Sequence, residues 1–292
     1  MVIGGLEAGG TKMVLAVANE DSVDRPYDRL AIPTRTPDET MPQMIAYFKE
    51  HNVGKIGIGC FGPLDLNPHS KTYGHITKTP KKEWADYDIV GEFQRALNVP
   101  VYLDTDVNGA ALGEVMYGAA KGVNSAIYIT IGTGIGVGVY VNGALLHGLV
   151  HPEGGHILLS RRDDDSATVF PGKCPFHKNC FEGLAAGPAI EMRFGKPAAE
   201  LIDNPLVWDM EADYIAQALA NYILAYSPEK IVLGGGVMHQ QMLYSMIRAR
   251  VLDYLGGYVQ SSTLLEDIEN YIVSPGLGDN AGIVGALALA NC

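Results

Sequence analysis

The sequence predicts an α/β protein with two domains. Strand-like and helix-like segments alternate along the chain, and this alternation runs in two rounds. The length of 292 residues is also enough for about two domains. Each round opens with the same layout of a strand, a glycine-rich turn and a second strand. The rounds are alike in pattern and not in residues, which favours a duplicated fold only weakly.

The first round opens with a β-hairpin, because aliphatic and β-branched residues flank a glycine-rich turn at residues 7–12. A helix follows, since Met44, Ile45 and Phe48 fall on one face of a helix over Asp38–Asn52. The remaining segments are assigned by the same periodicities. The predicted elements are strands 2–6 and 13–18, helix 38–52, strand 55–61, helix 89–97, strand 99–103 and helix 109–120.

The second round again opens with two strands, which are joined by a glycine loop and followed by a tight turn at Asn142-Gly143. Residues 151–182 are polar and irregular, and they interrupt the alternation as an insertion. The predicted elements are strands 125–131 and 137–141, helix 211–226, strand 230–233, helix 239–255, strand 271–273 and helix 281–290.

The composition excludes several classes of function. A formal net charge of −12 argues against a general nucleic-acid binder, because phosphate backbones are bound by Lys and Arg. No apolar run approaches the roughly 20 residues that span a bilayer. Met1 leads directly into apolar residues without the basic start of a secretory signal. We therefore expect a cytoplasmic protein that binds neither nucleic acid nor membranes.

Four side chains of the metal-ligand type lie in the insertion: His156, Cys174, His177 and Cys180. The last three recur at three-residue intervals, so one short loop could wrap a tetrahedral Zn²⁺ with His156 as the fourth ligand. Four protein ligands would make this Zn²⁺ structural and not catalytic. Three alternatives stay open: a Cys174–Cys180 disulfide, a buried core histidine at 156, and a zinc-ribbon nucleic-acid module. The acidic run at 163–165 argues against the last.

Three glycine-rich loops could hold phosphate or nucleotide in this acidic chain. Their residues are Gly9, Gly10, Thr11 and Lys12; Gly132, Thr133 and Gly134; and Gly234, Gly235 and Gly236. Glycines let backbone N–H groups approach a phosphate, and the hydroxyls and the lysine add donors. The first lacks the P-loop spacing, and the second is followed by a strand, not the helix of a dinucleotide fingerprint. An ordinary hairpin turn remains the alternative for the first loop.

Two carboxylates, Asp104 and Asp106, follow a predicted strand and lie on the same side of it. A carboxylate at this position could accept the proton of an alcohol that attacks a γ-phosphate. The alternative is an ordinary helix N-cap. Asp106 is the better candidate for the base, because Asn108 and a helix rich in Ala and Gly follow it.

Together these residues resemble the ROK family of sugar kinases, and the resemblance covers essentially the whole chain. Its most specific part is Glu153-Gly-Gly-His156, followed by the cysteine and histidine loop and by Glu182. Thr79-Pro80-Lys81 with Trp84, the opening residues 4–12 and the reduced metal loop are similar to the fructokinase subgroup.

The resemblance implies an actin-like, ribonuclease-H-like two-domain sugar kinase fold with a zinc-binding insertion. We expect a smaller N-terminal α/β domain of residues 1–112 plus 281–292, and a larger α/β domain of residues 113–280 with a zinc loop at 151–182. The implied reaction is the phosphorylation of a hexose by ATP with Mg²⁺. The favoured substrate is D-fructose, which would be converted to fructose 6-phosphate. A homodimer is also implied.

The resemblance assigns roles to single residues. Asp106 would be the general base, and Glu153, His156 and Glu182 would bind the sugar. The loops at 9–12 and 132–136 would bind the phosphates of ATP, and 234–236 the adenosine.

The resemblance also leaves alternatives open. Glu7 stands where many members have Asp, which leaves its contact with Mg²⁺ open, and His177 replaces a cysteine with another competent zinc ligand. Glucose, mannose or N-acetylmannosamine could replace fructose. A sugar-responsive repressor is the less favoured class, since the first strand begins at Val2 and the charge is negative.

Overall fold

The structure, a computed structural model, describes residues 1–79, 81–166 and 168–292. Pro80, part of the Thr79-Pro80-Lys81 segment used above, lies outside the described residues. Within the described ranges, no helix combines the length and the apolar character needed to cross a membrane. The chain divides into two compact units. The first unit comprises residues 1–122, 145–152 and 276–292, and the second comprises residues 123–144 and 153–275.

The strands and helices alternate along the whole chain. The strands are β1 (Val2–Ala8), β2 (Lys12–Asn19), β3 (Asp28–Pro33), β4 (Lys55–Cys60), β5 (His75–Ile76), β6 (Tyr87–Asp88), β7 (Val101–Thr105), β8 (Ala126–Ile131), β9 (Ile135–Val141), β10 (Ala144–Leu145), β11 (Lys230–Gly234) and β12 (Ile272–Val273). The α-helices are α1 (Pro37–Glu50), α2 (Ile89–Leu97), α3 (Asp106–Tyr117), α4 (Phe181–Ala185), α5 (Gly187–Phe194), α6 (Pro205–Tyr226), α7 (Met242–Leu255), α8 (Ser262–Glu266), α9 (Ile268–Tyr271) and α10 (Ala281–Leu289).

The first unit is built on a five-stranded sheet with the order β3-β2-β1-β4-β7. β1, β2 and β3 form an antiparallel meander, whereas β1, β4 and β7 run parallel. The parallel strands are largely buried because helices cover both faces of the sheet. Neighbouring residues of β1 show this directly. A Cβ on Gly4 would meet Phe48 of α1, and a Cβ on Gly5 would meet Leu287 of α10.

Small residues let α3 and α10 approach the sheet and each other closely. A Cβ on Gly57 of β4 would lie 1.9 Å from the carbonyl oxygen of Ala286 in α10, a distance that no real side chain tolerates. On the opposite face, Phe48 and Phe93 are fully buried and meet edge to face at 5.7 Å. Each such aromatic side chain contributes about 1.5–3 kcal/mol of hydrophobic stabilisation. This packing fixes the ends of β1, β4 and β7, where the candidate site begins.

The second unit contains a five-stranded sheet with the order β10-β9-β8-β11-β12. β8 and β9 form an antiparallel hairpin, and β8, β11 and β12 run parallel. The 22-residue helix α6 begins with Pro205, and the side chain of Asn204 accepts a hydrogen bond from the backbone N–H of Leu206. Its Trp208 is fully buried and donates to the carbonyls of Leu201 and Ile202, both at 3.0 Å.

The predicted hairpins, buried strands and long helices are confirmed, with boundaries that differ by a few residues. Three differences have physical reasons. α6 begins six residues before the predicted start, because Asn204-Pro205 is a cap followed by proline at the first helical position. α7 begins three residues late, since Gly236–His239 forms a 3₁₀ turn. β3 was not predicted, because it is a partly polar edge strand that lacks a continuous apolar run.

Candidate active site and metal-binding loop

The first unit brings two of the predicted site segments to one edge of its sheet. Ala8, Cys60 and Thr105 end their strands in register, Ala8 opposite Cys60 and Cys60 opposite Thr105. The loop at 9–12 and Asp106 therefore leave the sheet at the same carboxyl edge. In open α/β sheets, ligands bind outside this edge. The sequence placed both segments after strands but could not show that the strands are neighbours.

The loop at 9–12 is a tight turn with an exposed tip. The backbone N–H of Gly9 donates to the carbonyl of Lys12 at 3.0 Å. Thr34 holds the loop from outside, because its Oγ1 donates to the carbonyl of Gly9 at 2.7 Å and its N–H donates to the carbonyl of Thr11 at 3.0 Å. Thr11 and Lys12 are exposed. The loop backbone is thus held by hydrogen bonds, and it carries the exposed hydroxyl of Thr11 and ammonium group of Lys12.

Glu7 lies in β1 just before this loop, and its carboxylate lies against the first turn of α10. A Cβ on Gly282 would come within 2.6 Å of the Glu7 Cδ. Burial raises the pKa of Glu7, while Lys12 and Arg29 partly offset that rise and Asp279 adds to it. The start of a helix favours a nearby negative charge, and carboxylate oxygens are ligands that Mg²⁺ accepts. Glu7 therefore places acceptor oxygens beside the loop.

Asp106 is the first residue of α3, and the helix is capped by its neighbour. The Oγ1 of Thr105 accepts a hydrogen bond from the backbone N–H of Asn108 at 3.1 Å, so Thr105 occupies the N-cap position that the sequence offered to the aspartates. The Oδ1 of Asp106 accepts from the N–H of Val107 at 2.9 Å. Burial raises the pKa of the Cys60 thiol, and the charge of Asp106 raises it further. Asp106 is thus a half-buried carboxylate at the carboxyl edge.

Asp104 has a different environment, because it is only 4% exposed and its oxygens are engaged. Its Oδ1 accepts from the backbone N–H of Thr105 at 2.7 Å and from the Nδ2 of Asn108 at 2.8 Å. Its Oδ2 lies 2.8 Å from the Nε2 of His147. The structure therefore gives Asp104 a role in bracing the junction of β7 and α3, two residues before Asp106.

His147 is a functional candidate that sequence reasoning missed. Its hydrogen bond to Asp104 raises its pKa, burial lowers it, and the charge of Asp104 and the carbonyl of Leu145 raise it further. Four residues later the Nε2 of His151 accepts from the backbone N–H of Leu64 at 3.3 Å. The two histidines hold residues 145–152 against the rest of the first unit. The sequence around the two histidines does not indicate that Asp104 and Leu64 are their partners.

The second unit brings together two of the predicted glycine loops. β8 and β11 are parallel and end in register, with Gly234 opposite Thr130. The loop after β8 and the loop after β11 therefore share a carboxyl edge, and a Cβ on Gly132 would lie 3.9 Å from the backbone nitrogen of Gly236. Gly235 has a φ of +90°, and a Cβ there would lie 2.4 Å from the carbonyl oxygen of Ile131. Only glycine allows this approach.

Glu182 connects the loop after β8 with the insertion. Its Oε2 accepts a hydrogen bond from the backbone N–H of Ile135 at 3.0 Å, at the start of β9. The carbonyl of Gly132 accepts from the N–H of Gly187 at 2.8 Å. A predicted sugar-binding carboxylate and a predicted phosphate loop, about 50 residues apart in the chain, are thus direct neighbours.

The predicted zinc ligands His156, Cys174, His177 and Cys180 come together, with ligand atoms that all lie within 4.8 Å of one another. The Nδ1 of His156 is 3.5 Å from the Sγ of Cys180 and 3.9 Å from that of Cys174, which is 3.8 Å from the Nδ1 of His177. With Zn–S of about 2.3 Å and Zn–N of about 2.0–2.1 Å, neighbouring ligands of a tetrahedron are about 3.5 Å apart. The donor set and its spacing therefore fit Zn²⁺.

This cluster of two histidines and two cysteines adjoins the predicted sugar-binding residues Glu153 and Glu182. The exposed Glu153 directly precedes the 3₁₀ turn Gly154–His156, which Tyr222 fixes by donating its hydroxyl to the carbonyl of Gly154 at 2.7 Å. Cys180 caps α4, since its Sγ accepts from the N–H of Gly183 at 3.4 Å, and Glu182 lies in the first turn of that helix. His156 therefore lies three residues after Glu153, and Cys180 lies two residues before Glu182.

The chain is similar along nearly its whole length to known proteins and solved structures. A protein of Bacillus subtilis strain 168 is 53% identical over 290 residues, 99% of this chain and 95% of its own. The fructokinase of Pediococcus pentosaceus is 47% identical over 291 residues, 99% of this chain and 98% of its own. The crystal structure of a ROK hexokinase from Thermus thermophilus matches with a TM-score of 0.80 at 28% identity, over 99% of this chain and 98% of that one.

These likenesses confirm the α/β sugar kinase fold and the resemblance to fructokinases that the sequence indicated. The model of the ROK family matches residues 3–292. The chain therefore belongs to the ROK family.

Proposed function

We propose that this protein is an ATP-dependent fructokinase that converts D-fructose to fructose 6-phosphate. The observation that carries the proposal is its likeness to proteins named fructokinase, which are 42–47% identical across 98–99% of this chain. Glucokinases match at only 26–27% identity. The likeness to a xylose repressor is 27% and covers 60% of that protein. Kinase activity toward fructose is therefore the function best supported.

In this proposal Asp106 accepts the proton of the sugar hydroxyl. The oxygen of that hydroxyl forms a bond to the γ-phosphorus, the bond from the γ-phosphorus to the bridging oxygen breaks, and ADP leaves. The half-buried position of Asp106 at the carboxyl edge of β7 supports this role, because ligands of open α/β sheets bind outside that edge. The fully engaged Asp104 is less suited to it.

The sugar and ATP are assigned to the residues that the family pattern indicates. Glu153, His156 and Glu182 bind the sugar, and the loops at 9–12 and 132–136 bind the phosphates. The loop at 234–236 accommodates the adenosine, which the space beside Gly236 supports, because no described atom lies within 4 Å of a Cβ built there. Mg²⁺ bound with ATP would neutralise charge on the phosphates. Glu7, in the strand before the loop at 9–12, is the candidate carboxylate that would contact it.

A structural Zn²⁺ in the insertion completes the proposal. His156, Cys174, His177 and Cys180 would hold it, and it would supply a rigid cross-link and no Lewis-acid chemistry. Through their short separations in sequence from Glu153 and Glu182, the ligands fix the backbone that presents the sugar-binding carboxylates. A homodimer and a cytoplasmic location complete the proposal and rest on the resemblance and on the composition.

The test is a coupled assay of ADP release with fructose, glucose, mannose and N-acetylmannosamine as acceptors. We expect the highest kcat/KM with fructose, by about tenfold or more, because a misplaced hydroxyl leaves a buried polar group without its partner. A preference for another hexose of the panel would replace fructose as the substrate. ADP release that no sugar stimulates would overturn the proposal as a whole.

A further inference from the structure

One basic side chain outside the glycine loops lies directly over the first of them. The Cε of Lys81 is 3.7 Å from the position that a Cβ on Gly10 would occupy. Gly10 is at the tip of the turn between β1 and β2, next to the exposed Thr11 and Lys12. The terminal ammonium of Lys81 is one bond beyond Cε. It therefore lies at the same loop that the proposed function assigns to the phosphates of ATP.

The backbone of Lys81 is held in place by buried neighbours. Its carbonyl accepts from the N–H of Trp84 at 2.8 Å, and its own N–H donates to the Oγ1 of Thr79 at 3.4 Å. Trp84 is 1% exposed, and its Nε1 donates to the carbonyl of Arg35 at 2.6 Å. The segment is thus anchored to the chain that follows β3. An anchored backbone reduces the conformational freedom that Lys81 would lose on binding a ligand.

Among the residues that the structure describes, no carboxylate lies within ion-pair distance of the Lys81 ammonium group, although the chain carries an excess of acidic side chains. Lys12 contributes a second cation at the same turn. The loop thus carries one lysine of its own and has a second lysine beside it, in a protein of net charge −12. Such an arrangement favours an anion with more than one negative charge.

We propose that Lys81 contacts the transferred phosphoryl group of ATP and stabilises the charge on its oxygens in the transition state. The proposal rests on the fructokinase function proposed above and adds a residue to its site. An ammonium fixed before the reaction begins needs no reorganisation when charge develops on the γ-phosphate. The alternative is that Lys81 is a surface lysine that lies near the loop without contacting ATP.

The neighbouring Lys82 offers a matched control for that alternative. It carries the same charge, is exposed, and opens the 3₁₀ turn that ends at Trp84. Its replacement changes the net charge by the same amount as replacement of Lys81. The variants K81M, K81R and K82M therefore separate a local contact with phosphate from a general effect of charge. Methionine keeps most of the length of the side chain and removes only the ammonium.

The experiment measures kcat and KM for ATP in the full-length protein and its three variants, with the melting temperature as the check on folding. Removal of one donor to the reacting group lowers kcat by about 100-fold or more. We expect this loss in K81M, a partial recovery in K81R, and values within about twofold of the unchanged protein in K82M. Equal activity of K81M and K82M would overturn the proposal.

A binding measurement separates this inference from the proposed function. Without sugar, we expect K81M to lose about tenfold in affinity for a non-hydrolysable ATP analogue and to retain its affinity for ADP. Equal losses for the two nucleotides would place Lys81 away from the γ-phosphate and refute the inference. If the unchanged protein binds both nucleotides but phosphorylates no hexose, the proposed function fails, whereas the difference between the nucleotides still decides the role of Lys81.

Discussion

Replacement of Asp106 by asparagine tests the proposed proton transfer with little change to the fold. The Oδ1 of Asp106 accepts from the N–H of Val107, and an asparagine oxygen can accept the same hydrogen bond. The cap of α3 is unaffected because Thr105 provides it. The substitution also removes the attraction between a carboxylate and the start of the helix, about 0.3–1 kcal/mol. The melting temperature should therefore fall by only a few degrees.

The catalytic loss should be far larger than this loss of stability. A positioned general base contributes about 10²–10⁴ in rate. At about 1.4 kcal/mol for each factor of ten, this corresponds to about 3–5.5 kcal/mol of the barrier. We expect kcat of D106N to fall by at least about 100-fold, with a dissociation constant for fructose within about threefold of its original value. The measurements are ADP release at saturating substrates and calorimetric binding of fructose.

Asp38 provides the matched control for this substitution. It lies in the first turn of α1, is exposed, and belongs to the same unit as Asp106. D38N removes a carboxylate from the start of a helix without touching the candidate site, so its kcat should be unchanged. If D106N keeps kcat within about threefold of the unchanged protein, Asp106 is not the base. A fall in D38N equal to that in D106N would instead point to a general effect of charge.

Three further predictions concern other parts of the site. The hydrogen bond to Asp104 raises the pKa of His147, so the stabilisation from this pair should be present below about pH 6.5 and fade as the pH rises through the folded value. H147Q should thus lose more unfolding free energy in acid than at about pH 9, and equal losses would argue against the ion pair. Purified protein should contain about one equivalent of zinc, and its chelation should weaken the binding of fructose before that of ATP; C174S should show the same defect and no further response to chelator. E182Q keeps an oxygen for the N–H of Ile135, so it should remain folded but raise the KM for fructose about tenfold, and an unchanged KM would remove Glu182 from the sugar site.

Much of the fold could be predicted from local patterns in the sequence. Glycine turns between apolar runs gave the two hairpins, and helical periodicity gave α1 and α2. The grouping of the four candidate metal ligands was also predictable, because Cys174, His177 and Cys180 lie in one short loop whose spacing restricts its geometry. In each of these cases the sequence pattern and the structural element that it predicts lie within one short segment of the chain.

Contacts between distant segments could not be predicted in this way. Nothing in the residues around His147 indicates that its ring lies 2.8 Å from a carboxylate 43 positions earlier. The contact between Glu182 and the N–H of Ile135 depends equally on the tertiary fold. The placement of Lys81 over Gly10 requires the buried anchor at Trp84, whose partner is the carbonyl of Arg35. Pairings of this kind are set by packing, and local sequence does not determine them.

The most direct test of the central claim is the identity of the phosphorylated product. Purified protein is incubated with ATP, Mg²⁺ and D-fructose, and the products are followed by phosphorus NMR. We predict that fructose 6-phosphate and ADP accumulate in equal amounts while ATP disappears. Phosphate on another hydroxyl of fructose, or release of inorganic phosphate without a sugar phosphate, would contradict the account.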